Sequence, residues 1–311
     1  GESLQGGGDI ARWAAVSLGL EGIPGAALNR HCASGLSAVQ MAAASIRAGM
    51  DRVVIAGGTE SLSTMPQSKK RLPGAVEPQP WMSPSHPETP DAPAFDMSIT
   101  VGWNTAKQAQ VSREAMDEWA FHSHQRAIAA TDEGRFREEI FAIEVPDGNG
   151  GTRTFSVDEH PRRETTREKL ASLRPLHPEI EGFSITAGNS SGINDGAAAL
   201  VLVDAEYARA HGLRPLATVK AWASVGVPPE RTGLAPTLAI PKALARARLR
   251  TSDVALFEIN EAFCAMAVAC TRILELDHAI VNVNGSDCGL GHPVACTGAR
   301  MGITTIHEPR R

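Results

Sequence analysis

Apolar and polar positions along the chain change period several times, and the changes mark out its elements. The spacing predicts a helix from about Asp9 to Leu18, a short strand near Ala26 to Arg30, a helix from Ser34 to Ala48 stopped by Gly49, and a strand from Arg52 to Ala56. Strand, helix, strand in that order reads as an α/β layer. The helix from Ser34 is small or apolar on nearly every face (Ala38, Val39, Met41, Ala42, Ala43, Ala44, Ile46), which places it, as an expectation, buried between sheets.

Pro66 to Pro93 breaks the pattern, with eight prolines in 28 residues, so this stretch reads as an irregular surface excursion. Helical spacing returns from Arg113 to Thr131 (Met116, Trp119, Ala120, Ser123, Ala127), with Glu114 and Asp117 favourable to the helix dipole. A second α/β layer follows. It comprises a central strand at Gly196 to Val203, an apolar stretch from Leu216 to Val225, a helix from Thr237 to Ala247 and a strand from Val254 to Ile259. A helix from Glu261 to Leu274, a strand from Ala279 to Val283, a glycine-broken loop from Gly285 to Gly291 and a helix from about Ala295 complete it.

The length of 311 residues leaves room for about two domains and a sizeable core. No apolar run is long enough to span a bilayer, so no membrane partner is expected. A net charge of −5 leaves no large basic surface for a nucleic-acid backbone. The five cysteines form no CxxC pair and fit reduced thiols, hence a cytoplasmic protein, and abundant Ala with Arg preferred over Lys hints at a GC-rich bacterial gene. The first residue is Gly1 rather than Met, which suggests a fragment.

Cys32 lies in Asn29-Arg30-His31-Cys32-Ala33-Ser34-Gly35-Leu36, at the amino end of a helix, where unpaired N–H groups favour a thiolate. An isolated Cys in an apolar segment is more often a packing residue, so its context has to decide. Three further stretches supply that context. In Gly289-Leu290-Gly291-His292-Pro293, glycines allow close backbone approach and His292, at a helix start, suits a general base. In Glu258-Ile259-Asn260-Glu261-Ala262-Phe263, Asn260 can hold a water or an oxyanion, or simply cap a helix. Thr186 to Gly196 is a dense run of turn formers.

Together and in this order, NRHCASGL, TAGNSSGINDGAA, EINEAF and GLGHP resemble the thiolase family, and the likeness extends through LQGGGDIAR, VVIAGGTES and EHPR to LRP. The resemblance implies the five-layered αβαβα thiolase fold, an α/β class with two similar halves and an inserted loop domain. Residues 1–60 and 194–212 would form the amino-terminal half, incomplete at its start; 61–193 the CoA-binding loop domain; and 213–311 the carboxy-terminal half. It implies thiolysis of 3-ketoacyl-CoA, or the reverse condensation, in fatty-acid or related lipid metabolism. Cys32 would take the acyl group as a thioester, His292 would deprotonate it, and Asn260 would hold a water that stabilises the thioester oxygen. Ser191 and Ala187 match pantetheine contacts, Arg162 a residue near the nucleotide end, and Met97 a pocket-lining residue. Coenzyme A would be a substrate, with no bound cofactor or metal, and the assembly would be a homodimer or homotetramer.

The sequence also departs from the family. Members continue past such a carboxy terminus into a Cys-x-Gly-Gly-Gly loop whose Cys shuttles the α-proton, and begin about fifty to sixty residues earlier, so the chain reads as truncated at both ends. Asp96 stands where many biosynthetic members carry His, and Met97-Ser98-Ile99-Thr100-Val101-Gly102 replaces Met-Gly-x-Thr-Ala-Glu. Asp287 and Cys288 replace small or apolar residues in the glycine loop, and Ala295 replaces a Gly; Cys264, Cys270 and Cys296 read as packing residues. The alternatives are a thiolase-like protein that binds acyl-CoA or lipid without turnover, and a ketoacyl-synthase-like condensing enzyme.

Overall fold

The computed structural model describes residues 8–308. The elements in chain order are α1 Ile10–Ser17, α2 Ser34–Arg47, β1 Val53–Glu60, β2 Lys69–Lys70, β3 Gln79–Pro80, α3 Asn104–Gln108, α4 Arg113–Asp132, β4 Ile143–Pro146, β5 Thr152–Phe155 and α5 Arg167–Ser172. They continue with β6 Gly196–Val203, α6 Ala205–Ala210, α7 Pro236–Ala247, α8 Cys264–Ile273, α9 Asp287–Leu290 and α10 Val294–His307. Two compact units result. The first takes the chain up to Glu88, Ile193–Pro215 and Pro293–Arg300, and the second Thr89–Gly192, Leu216–His292 and the residues from Met301 onward.

In the first unit, α1 is capped by Asp9, whose carboxylate accepts from the Arg12 N–H. The strand expected at Ala26 to Arg30 does not form: the segment is irregular and enters no ladder among the described residues. Helix α2 follows the predicted span but is not buried between sheets. It buries Ser34, Gly35, Ser37, Ala42 and Ala43, while Leu36 and Met41 are exposed. Its small residues serve close contact instead, since a Cβ on Gly35 would lie 2.7 Å from the Ala295 carbonyl oxygen, and one on Gly298 of α10 would lie 2.5 Å from the Leu36 nitrogen. Strands β1 and β6 pair antiparallel from Val53 opposite Val203 to Glu60 opposite Gly196. The strand expected to be central is therefore half of a two-stranded ladder, with Ile55 and Val201 exposed. The proline-rich excursion is irregular as expected, apart from the two-residue pairing of β2 with β3.

In the second unit, α4 carries the core. Ser112 caps it, and Met116, Trp119, Ala120, Ser123, His124, Ala127 and Ala130 form one buried face at helical spacing. Asp117 is no exposed dipole partner, because Arg113 Nε donates to its Oδ2 at 2.7 Å and Asn189 Nδ2 to its Oδ1 at 2.9 Å. Helix α8 buries eight successive residues from Cys264 to Thr271. It begins at Cys264 rather than Glu261, because the residues before it run extended beside the 189–191 segment: Ser191 N–H donates to the Ala262 carbonyl and Cys264 N–H to the Asn189 carbonyl.

The strands expected at Val254 to Ile259 and Ala279 to Val283 reduce to one parallel bridge between Phe257 and Val281. The reason is visible at Asn282. Its backbone turns left-handed at φ 50°, ending the ladder, and its side chain takes over the pairing, accepting from Ile259 N–H at 2.8 Å and donating to the Ile259 carbonyl at 2.9 Å. The segment 216–225 is irregular throughout, against the apolar strand expected there. The loop expected from Gly285 to Gly291 contains the short helix α9.

Candidate active site

Cys32 belongs to the first unit, exposed in a tight turn that leads into α2. Backbone features shape the turn. His31 takes a positive φ of 49°, a left-handed conformation a non-glycine residue adopts only when its surroundings impose it. The Asn29 side chain accepts from the His31 N–H at 2.9 Å, and Ser34 Oγ accepts from Arg30 N–H at 2.9 Å while donating to the His31 carbonyl. The thiol is thus held at the start of a 14-residue helix, where the axial dipole favours a negative charge.

His292 and Asn260 lie in the second unit and are brought together across 32 positions of sequence, Asn260 Nδ2 standing 3.2 Å from His292 Nδ1. Asn260 Oδ1 accepts from the Ala262 N–H at 2.9 Å, which fixes the amide's orientation and leaves its NH2 group toward the imidazole. His292 is buried, and Asp287, fully buried on α9, places Oδ1 3.9 Å from Nδ1.

Beneath this pair sits Glu261, which reading of the sequence did not single out. It is fully buried, and its two oxygens accept from Trp119 Nε1, Ser123 Oγ, Asn282 Nδ2 and the Cys288 N–H at 2.6 to 3.0 Å. Burial pushes its carboxyl above the ordinary value, and the nearby Asp287 charge adds to this, while the hydrogen bonds from Ser123, Asn282 and Trp119 oppose it. Glu261 N–H in turn donates to Asp287 Oδ2 at 2.9 Å. Through these bonds one carboxylate fixes α4, the start of α9 and the segment carrying Asn260. Helix α9 can approach α4 only because Gly289 lacks a side chain: a Cβ there would lie 2.5 Å from the Ser123 carbonyl oxygen.

A cleft of about 560 Å³ opens elsewhere in this unit, within the size range of small-molecule sites. Its lining includes Arg162, Ala187, Ser190, Gly192, His124 and His160. Of the residues predicted to contact coenzyme A, Arg162 and Ala187 therefore line the cleft and Ser191 falls between two residues that do. Met97 is not among the lining residues; it precedes a π-helical turn, Ser98–Trp103. The cations around the cleft differ. Arg163 is paired bidentately with Asp132 and Arg167 with Glu118, whereas no carboxylate pairs with the Arg162 guanidinium among the described residues.

Two histidines that sequence patterns did not flag hold this edge. His124 Nδ1 accepts from the Arg162 N–H at 3.2 Å, and burial, with the His160 and Arg162 charges, pushes it down to about 4. His160 is also pushed down by burial, and its Nε2 lies 3.1 Å from the Cys288 carbonyl oxygen, to which it donates. Cys264, Cys270, Cys288 and Cys296 are buried and form no disulfide among the described residues; burial raises Cys264 well above its ordinary value and Cys270 to about 12, as fits packing residues. No helix among the described residues is long and apolar enough to cross a membrane.

Comparison with known proteins agrees with the resemblance read from the motifs. The family description "Thiolase, N-terminal domain" matches residues 2–206, and "Thiolase, C-terminal domain" residues 213–311. The 3-ketoacyl-CoA thiolase of Bacillus subtilis is 41% identical over 298 residues, 93% of this chain and 73% of that protein. The acetyl-CoA acetyltransferase of Pseudomonas aeruginosa is 41% identical over 309 residues, 96% of this chain and 76% of that protein. In three dimensions, the chain matches the crystal structure of the Bacillus anthracis acetyl-CoA acetyltransferase with a TM-score of 0.88 at 38% identity, covering 97% of this chain and 77% of that one. The α/β thiolase fold expected from the motifs is thereby borne out, and the thiolase reading is favoured over the ketoacyl-synthase-like one. The chain belongs to the thiolase family.

Proposed function

We propose that the chain is a thiolase-type acyltransferase that cleaves 3-ketoacyl-CoA, or runs the reverse condensation, through a thioester on Cys32. His292 takes the thiol proton, and the Cys32 sulfur attacks the 3-keto carbon of the substrate. Asn260, through a bound water and together with His292, stabilises the thioester oxygen. The C2–C3 bond breaks, C2 takes up the proton that left the thiol and departs as acetyl-CoA, and the acyl group stays on Cys32. The thiol of a second coenzyme A then takes the acyl group, releasing a shortened acyl-CoA. Arg162 offers its charge to the phosphates at the nucleotide end, Ser191 and Ala187 contact the pantetheine arm, and Met97 borders the acyl group.

In this reading residues 61–193 are the CoA-binding loop domain, set between an amino-terminal half of residues 1–60 and 194–212 and a carboxy-terminal half of 213–311. Lipid metabolism in the cytoplasm of a bacterium and a homo-oligomeric assembly complete the proposal. The observation that carries it is the pairing of Asn260 with His292, which joins two distant family motifs at hydrogen-bond distance.

The test is incubation with acetoacetyl-CoA in the absence of free coenzyme A, an acid quench, and peptide mapping by mass. An acetyl group on Cys32 that disappears when free coenzyme A is added is the expected result. A folded protein whose Cys32 stays unmodified overturns catalysis and favours binding without turnover.

A further inference from the structure

An imidazole held between two carboxylates has its charge decided by geometry. His177 Nε2 stands 2.8 Å from Asp96 Oδ2 and its Nδ1 2.8 Å from Glu179 Oε1, and Asp96 and Glu179 are the charged groups that face the ring among the described residues. An ionised carboxylate can only accept, and a neutral imidazole has one N–H to give, so the neutral ring would turn a lone pair toward one of the two. The imidazolium satisfies both. The Glu179 bond, with the Asp96 and Glu179 charges, raises His177 above its ordinary value against the effect of burial. Burial opposes the charge on Asp96, yet bonds from Ser98 and Ile99 and the His177 charge hold its carboxyl below the ordinary value.

This pair tethers one turn of backbone. Asp96 Oδ1 accepts from the Ser98 N–H at 3.0 Å, the Ser98 hydroxyl at 2.6 Å and the Ile99 N–H at 3.3 Å, so the carboxylate opens the π-helical turn Ser98–Trp103 with one oxygen and grips His177 with the other. The His177 ring lies edge-on to buried Phe183, centroids 4.9 Å apart, and Phe183 meets Trp103, the last residue of the same turn, at 5.3 Å. Both ends of the turn are thereby fastened to the segment 177–183. Met97 sits at the fastened start, and near the other end a Cβ on Gly102 would lie 2.9 Å from the ring of Phe263, in the motif that carries Asn260. Such π-helical geometry is rare and frequent at functional sites. We propose that His177 is a positioning residue of the acyl pocket: as an imidazolium between Asp96 and Glu179 it holds the turn in the place that sets Met97 against the acyl group. The tether is complete below the His177 titration and is lost as pH rises through it, because only the charged ring serves both carboxylates.

The role of His177 rests on the one proposed for Met97, but its charge does not. The whole chain is labelled with 15N-histidine, the His177 signals are assigned by their loss in His177→Gln, and the ring-nitrogen shifts are followed from neutral to alkaline pH. Two protonated ring nitrogens are expected at neutral pH, with a titration that moves down in Asp96→Asn. Dissociation constants for coenzyme A and acetoacetyl-CoA are then measured by calorimetry on the Cys32→Ala chain, which forms no thioester. Adding His177→Gln is expected to weaken acetoacetyl-CoA about tenfold, the size of a lost charge-assisted bond, and coenzyme A by less than about twofold. Without it, the preference for acetoacetyl-CoA over coenzyme A is expected to shrink as pH rises through the His177 titration; with it, the preference is expected to be flat. A bare ring nitrogen at neutral pH in the unaltered protein overturns the proposal even if no variant folds, and so does a folded His177→Gln that affects both ligands equally or neither. A Cys32→Ala chain that binds neither ligand overturns the coenzyme A reading and the role of His177 with it. If the two ligands separate as expected while Cys32 never acquires an acetyl group in the unaltered protein, the catalytic reading falls and the role of His177 stands.

Discussion

The turn that presents Cys32 and the region that holds His292 and Asn260 are built in different ways. Around Cys32 the thiol is exposed and the geometry is backbone geometry: a left-handed His31 and short bonds from Asn29 and Ser34. Around His292 the side chains are buried, and geometry comes from two carboxylates whose partners reach into α4, α9 and the 282 turn. The nucleophile's position is thus a local matter, whereas the base's position is part of what holds its unit together. A change near Cys32 should alter chemistry with little effect on stability, and a change beneath His292 should alter both.

The harshest way to break this contrast is Glu261→Ala, which strips the acceptor from four buried donors at once. A loss of about 3–5 kcal/mol is expected, read as a lower denaturant midpoint. A loss under 1 kcal/mol would mean the network is incidental. An intermediate effect is expected from acid. His124 is held neutral down to about pH 4 in the native state, against an ordinary value of 6.5. The unfolded chain therefore binds the proton first, and stability present above pH 6.5 is lost as pH falls toward 4, by about 3 kcal/mol in all. Denaturant titrations of the unaltered protein and of His124→Asn across that window should differ in slope, with the variant flatter. The smallest effect belongs to the Cys32 turn: His31→Gly removes the penalty of a positive φ and should raise stability by at most about 1 kcal/mol. A marked loss there would show that the imidazole, not the backbone, shapes the turn.

How much of this was legible in the sequence follows the same division. Helices α2, α4 and α7 could be read because a periodic apolar face is a local property, and each formed close to its predicted span. Strands could not be read as well, since an apolar run declares a face and not a hydrogen-bonding partner; 216–225 found no ladder, and Val254 to Ile259 paired mainly with a side chain, Asn282. At the site, Asn260, His292 and Cys32 were legible as motif residues. Glu261, Asp287, His124 and His160 were not given roles, because their importance lies in which buried partners they meet across the fold. The acid directly after Asn260 and the unusual acid before the GLGHP motif were the available signals.

Trp119 gives the buried carboxylate an optical voice. Its indole N–H donates to Glu261 Oε1 at 2.8 Å, and the ring is tilted against His278 with centroids 4.6 Å apart. The excited indole responds to nearby charge, so a proton gained or lost beneath His292 shifts the emission of a fluorophore already in place. In a variant whose other four tryptophans are replaced, acid and mutation beneath His292 can then be followed by light from within the molecule, without a label.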